Sequence, residues 1–125
     1  MNISLNNLHL SKGKDAEAIA CIHLKKQGLK LIEKNFSSRF GEIDLIMQDK
    51  KTLVFIEVRY RKNLLYGGPT ESITPGKQLK IQKTALFFMQ QKGREYNARF
   101  DVLAICGSDL SKPDTLNIEW IQNAF

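Results

Sequence analysis

Gly41-Glu42-Ile43-Asp44-Leu45-Ile46-Met47, the polar break Gln48-Asp49-Lys50, and Lys51-Thr52-Leu53-Val54-Phe55-Ile56-Glu57-Val58-Arg59-Tyr60-Arg61 form two apolar runs salted with acids. Their length and their branched and aromatic content predict strands over residues 42–47 and 51–60, joined as a hairpin. Side chains on a strand alternate between faces. With an even connecting loop, Met47 pairs with Thr52, Asp44 with Phe55 and Glu42 with Glu57. Glu42, Asp44, Glu57 and Arg59 then line one side, and Ile43, Leu45, Val54, Ile56 and Val58 the other. Asp44 and Glu57 become diagonal neighbours, about 7–8 Å apart, close enough for their carboxylates to converge on one ion. An odd loop would turn apolar side chains out of the core along the whole strand.

Like charges facing each other across a ladder are destabilising and need compensation. A divalent cation supplies it: Mg²⁺, or Mn²⁺ in its place, takes one or two carboxylates and completes its shell with water and phosphate oxygens. That chemistry is phosphodiester hydrolysis, in which the ion polarises the phosphate and makes bound water nucleophilic near neutral pH. On spacing alone the simpler reading is that Arg59, Arg61 and nearby lysines pair with these acids on a solvated sheet face.

Outward from the hairpin, Ala16, Ile19, Ala20, His23 and Leu24 recur at helical spacing over residues 14–27, and Gly28 supplies the stop. A strand is expected over residues 29–36. After a Gly- and Pro-bearing loop at 63–74, Thr74 as N-cap and Pro75 at the first helical position open a second helix reaching about residue 92. Strands follow at 99–106 and 116–121, giving the order αβββαββ.

The helices add three candidates. Glu17 falls beside Ala20 and Leu24 at the edge of the apolar stripe and points toward the sheet, where a salt bridge and a ligand role are equally open. His23 lies in the same stripe without a second ligand, which reads as a core histidine. Lys77 shares the inward face of Ile81 and Phe88 in the first turn of the second helix, while Lys80 and Lys83 lean toward solvent. That helix start also offers free N–H groups to a phosphate.

The chain of 125 residues suits one domain, 1–125, and 42% hydrophobic residues suffice for a packed interior. Nineteen Lys and Arg against thirteen Asp and Glu leave a charge of +6, which favours polyanionic partners or serves solubility alone. Lys12, Lys14, Arg61, Lys62, Lys80 and Lys83 are the candidates to hold nucleic-acid phosphates, and nothing resembles a base-reading element. Cys21 and Cys106 stand far apart with no Cys or His companion, which argues against a disulfide framework and a zinc site. No apolar run is long enough for a membrane helix, and the first ten residues lack the features of a signal peptide, so a cytoplasmic address is expected. Phe125, Trp120 and Ile121 are expected to cap the core rather than to join a partner.

With these residues named, the sequence resembles the YraN-like family of uncharacterised bacterial proteins. The likeness is carried by Gly13-Lys14-Asp15-Ala16-Glu17, Gly41 through Ile46, Val54 through Arg61, Tyr66-Gly67-Gly68, Thr74 through Gln78 and Arg99-Phe100-Asp101-Val102. That family looks like a branch of the restriction-endonuclease-like nucleases, distantly similar to archaeal Holliday-junction resolvases. The resemblance implies an α/β core with a central mixed β-sheet flanked by helices. It implies a metal-dependent endonuclease acting on DNA, branched or otherwise structured, for which a homodimer is an open expectation. It carries metal-ligand roles onto Asp44 and Glu57, a supporting acidic role onto Glu17, and the basic position of the Asp/Glu-x-Lys motif onto Arg59. Arg stands where those nucleases keep Lys, and an arginine stays protonated and can only stabilise charge. Two expectations follow: Lys77 stands in for the missing lysine, or the fold survives as a non-catalytic nucleic-acid-binding module.

Overall fold

The computed structural model describes residues 12–63 and 73–125, with Lys12 described by its backbone only. Helix α1 (Lys12–Lys26) leads into strands β1 (Lys30–Ser38), β2 (Gly41–Asp49) and β3 (Thr52–Arg61). Helix α2 (Pro75–Lys92), strand β4 (Asn97–Cys106), a 3₁₀ turn (Pro113–Thr115) and strand β5 (Asn117–Ile121) complete the chain. The expected order αβββαββ is the one observed, and the arrangement is that of a restriction-endonuclease-like core. Most of the Gly- and Pro-bearing loop at 63–74, including Tyr66-Gly67-Gly68, lies outside the described residues.

Local chemistry sets the helix ends. Gly28 at φ +100 ends α1: its N–H reaches Lys25 O at 3.0 Å while Leu29 N–H reaches Leu24 O at 3.1 Å. This is a Schellman closure, and its two leucines are both buried in one cluster. Thr74 caps α2 by accepting from Lys77 N–H, Pro75 follows, and Gly93 at φ 72 closes the far end with its N–H on Gln90 O.

The five strands lie side by side in sequence order. All neighbours are antiparallel except β3 and β4, which run parallel because α2 carries the chain across. The helices take opposite faces. Ala16, Ala20, Cys21 and Leu24 of α1 pack with Leu45, Met47, Val54, Ile56, Leu103 and Ile105. Ile81, Ala85 and Phe88 of α2 pack with Phe36, Ile43, Ile46, Leu53 and Phe55. Alternation along β3 divides its side chains between the two cores.

The hairpin register differs from the expected one by two residues. Asp49 pairs with Thr52 around the two-residue turn Lys50-Lys51, so Met47 meets Val54 and Leu45 meets Ile56. The strand runs on through the polar break because its neighbours hold it: Gln48 pairs with Lys30 of β1, and Asp49 accepts from Arg99 Nη2 at 3.1 Å. An even shift keeps the apolar faces, yet it brings Asp44 level with Glu57 instead of diagonal to it.

Strict alternation also fails near Asp44. Ile43 packs on the α2 side with Ile46, not on the α1 side with Leu45, while Val58 packs on the α1 side as expected. The break is matched on the neighbouring strand, where Asn35 adopts φ 52 between Lys34, opposite Leu45, and Phe36, opposite Ile43. A left-handed residue turns the next side chain to the other face, and Asn tolerates that conformation better than most.

The C-terminal residues cap the core. Phe125 stacks on Phe100 with ring centroids 5.3 Å apart, and Trp120 packs against the α1-side cluster. Asp101 fixes this tail from a fully buried position, accepting from Arg99 Nε at 3.1 Å, Trp120 Nε1 at 2.8 Å and Asn123 N at 3.0 Å. Cys21 and Cys106 are free thiols, the first buried and the second half-buried.

Candidate functional site

The site begins where the sheet opens. The β2–β3 ladder ends at the Leu45–Ile56 pair, and beyond it Val58 N–H donates to Asp44 Oδ2 at 2.8 Å. A carboxyl oxygen thus takes the place of a strand carbonyl, which satisfies the strand and holds the acid in the fork between the two strands.

Three carboxyls meet around that fork. Glu17 comes from α1 and hydrogen-bonds with Asn35 and Asp44. Asp44 hydrogen-bonds in turn with Glu57 of β3, which is only 6% exposed. Burial pushes the Asp44 carboxyl up to about 8, the charge of Glu57 adds to the effect, and the Val58 N–H opposes it. Burial also raises Glu17, relieved by its bonds to Asn35 and Asp44 and increased by the charges of Glu42 and Glu57. Burial and its acidic neighbours therefore favour the neutral form of Asp44 well above the usual carboxylate range.

Basic groups flank the cluster on the α2 side. Lys77 Nζ pairs with Glu57 Oε2, reaching inward from the first helical turn, and Arg59 Nη1 lies 3.6 Å from the same oxygen. Gly41, Glu42, Asp44, Glu57, Lys77 and Lys80 line an open cleft of about 260 Å³. Asp44, Glu57, Lys77 and Lys80 thus share one cleft, with Glu17 behind Asp44 and Arg59 beside Glu57.

The other expected basic residues lie elsewhere. Lys62 lines a separate recess with Asp15, Tyr60 and Asp109, Lys14 is exposed on α1, and the side chain of Lys12 lies outside the described residues. Arg61 ends β3 with its Nη1 on Tyr60 O at 2.9 Å. Lys83 stands one turn beyond Lys80, exposed, with its Nζ 6.0 Å from the Phe40 ring centre. His23 is half-buried at a shallow recess beside Ile19, Ile22 and Asp114.

Among the described residues, no group of three or more His, Cys, Asp or Glu side chains is placed to cage a metal ion by itself. The pair Asp44 and Glu57 suits a hard cation that takes two carboxylates and fills its shell from water and phosphate. Two neighbouring acids, one of them raised by burial and by the other's charge, are the chemistry such an ion relieves.

Sequence reasoning missed Asn35, whose signal was only that Asn accepts a left-handed backbone, and Asp101, whose partners lie 2, 19 and 22 residues away. No described helix is long and apolar enough to cross a membrane.

Comparison with known proteins agrees with the sequence resemblance. A protein of Nitrosomonas eutropha is 50% identical over 115 residues, 92% of this chain and 93% of the relative. One of Stutzerimonas stutzeri is 46% identical over 117 residues, covering 92% and 94%. One of Psychromonas ingrahamii is 50% identical over 115 residues, covering 92% and 89%. All three carry the name UPF0102 protein. The family profile matches residues 16–105, a span that holds every acid of the fork and the whole of α2, and the chain belongs to Uncharacterised protein family UPF0102.

Proposed function

We propose that this protein is a metal-dependent nuclease that hydrolyses phosphodiester bonds in DNA. The observation that carries the reading is the hydrogen-bonded trio Glu17, Asp44 and Glu57 at the open end of the β2–β3 ladder, with Asp44 and Glu57 lining a cleft that also holds Lys77 and Lys80. Asp44 and Glu57 would hold Mg²⁺ or Mn²⁺, and Glu17 would orient Asp44 from behind. Bound there, the ion supplies Lewis acidity at the scissile phosphate and a nucleophilic water. The remaining chemistry belongs to the chain itself. Lys80 holds non-bridging phosphate oxygens, and Arg59 offsets the charge that develops on the phosphoryl oxygens. Lys77, whose Nζ meets Glu57 Oε2 from the first turn of α2, stands in for the lysine that Arg59 replaces.

The test incubates purified protein with linear duplex, single-stranded and branched DNA, in Mg²⁺ or Mn²⁺ against chelator, beside Glu57→Ala. Metal-dependent cutting that disappears in the variant supports the nuclease.

A second reading has its own observation. Lys77 and Arg59 both reach Glu57, so that carboxylate is compensated without an ion. This favours a nucleic-acid-binding module that has lost turnover, and salt-sensitive DNA retention without cutting would select it. A chain that bound no nucleic acid would be left as a protein-interaction domain.

A further inference from the structure

The turn between β1 and β2 is fastened to α2. Ser38 Oγ donates to Thr84 Oγ1 at 3.3 Å and accepts from Phe40 N–H at 3.1 Å, while Thr84 Oγ1 donates to Lys80 O at 2.8 Å. Gly41, at φ +155, lies so close to the helix that an added Cβ would stand 3.5 Å from both Lys80 Cβ and Thr84 Oγ1. A rigid turn therefore presents Arg39 and Phe40 beside the cleft that Lys80 lines.

Phe40 is held but not buried. Its ring meets Phe87 edge-on at 6.5 Å, and the rest is flanked by cations, Arg39 Cζ at 4.9 Å and Lys83 Nζ at 6.0 Å from the centroid. Arg39 and Lys83 are both exposed, and so is Lys80. Lys77, Lys80 and Lys83 follow one another at three-residue intervals, so the positive groups climb α2 from the acidic fork to the aromatic turn over about 9 Å of helix axis.

We propose that this path binds a single-stranded segment of nucleic acid, its phosphates on Lys80, Lys83 and Arg39 and one unpaired base stacked on Phe40. The inference deepens the nuclease reading and rests on it for the route of the strand into the cleft. Cations explain attraction to any nucleic acid. A partly exposed ring set among them is the mark of single-strand sites, because every base has a face to stack and a base inside a duplex has none free. Stacking a base is worth more than an exposed cation–π contact, so the base displaces the Arg39 guanidinium, which is then free to meet a phosphate.

The test measures fluorescence anisotropy of labelled oligothymidine and of a blunt duplex hairpin, in chelator so that nothing is cut. Wild type is compared with Phe40→Leu, which keeps apolar volume against Phe87, with Phe40→Tyr and with Lys83→Ala, all checked by thermal unfolding. Wild type should prefer oligothymidine. Phe40→Leu should weaken that binding about tenfold and leave the duplex unchanged. Phe40→Tyr should restore it, and Lys83→Ala should weaken both ligands and lower the salt slope by about one. Unchanged oligothymidine binding in Phe40→Leu, or equal loss on both ligands, overturns the proposal. If wild type cuts DNA with metal while Phe40→Leu binds normally, the strand path fails alone; if wild type binds no nucleic acid, the nuclease reading fails with it.

Discussion

Asp44→Asn replaces a carboxyl whose ionisation the fold disfavours with a side chain of the same shape that cannot ionise. The two N–H groups of the amide can donate to Glu17 and Glu57, and its carbonyl can accept from Val58 N–H, now 2.8 Å from Oδ2. In the unfolded chain Asp44 ionises near its ordinary 3.8, and in the folded chain at about 8. Between those values the folded state binds the extra proton, so wild-type stability falls as pH rises through the window and the loss is complete above it. At about 1.4 kcal/mol per pH unit the ceiling is about 6 kcal/mol, comparable with the whole stability of a small domain. Water entering the open cleft and side-chain relaxation should reduce it to a few kcal/mol. Urea unfolding in chelator at pH 5, 7 and 9 measures it. The variant should gain on wild type by about 2–4 kcal/mol between pH 5 and pH 9. Added Mg²⁺ at pH 9 should stabilise wild type and leave the variant unmoved. A gap that does not widen with pH, or a variant less stable than wild type at pH 9, would show that the fold does not raise the Asp44 carboxyl.

Lys77→Ala should abolish DNA cleavage, by at least about a hundredfold, while changing DNA affinity only a few-fold; normal cleavage rates would end its role as the stand-in lysine. Asp101→Asn removes the charge that holds Arg99 and the C-terminal tail, and should cost about 3 kcal/mol by urea midpoint with a red-shifted Trp120 emission. Asn35→Gly keeps the left-handed backbone but loses the bond to Glu17, whereas Asn35→Val strains that backbone. The first should cost well under about 1 kcal/mol and the second about 2 kcal/mol, so equal unfolding midpoints would refute the conformational role.

Much of the fold was legible because local signals agreed with one another. Thr74 with Pro75 opened α2 and Gly28 closed α1 where capping chemistry placed them. The hairpin pattern separated Leu45, Val54 and Ile56 from Glu57. The register was not legible, because a shift of two leaves every apolar residue on its own face and burial cannot tell the two apart. What decides it is Asp49 held by Arg99, fifty residues on, and Gln48 paired with Lys30. Those partners are visible only once the strands are neighbours.

The meeting of the acids has a geometric condition that no pattern of strand residues reveals. Glu17 belongs to the helix on one face of the sheet, and Glu57 pairs with a lysine of the helix on the other face. An intact ladder would stand between them. They can share a neighbour only where the sheet is parted, and Asp44 lies in that parting, bonded to Glu17 on one side and Glu57 on the other. The left-handed Asn35 and the end of pairing after Leu45 fall at the same level of the sheet, where Phe36 and Ile43 both face α2 and Asp44 is no longer paired with β3. With Ile43 packed on the α2 side, no side chain of the α1-side core comes from position 43, and Glu17 reaches Asp44 from the α1 face.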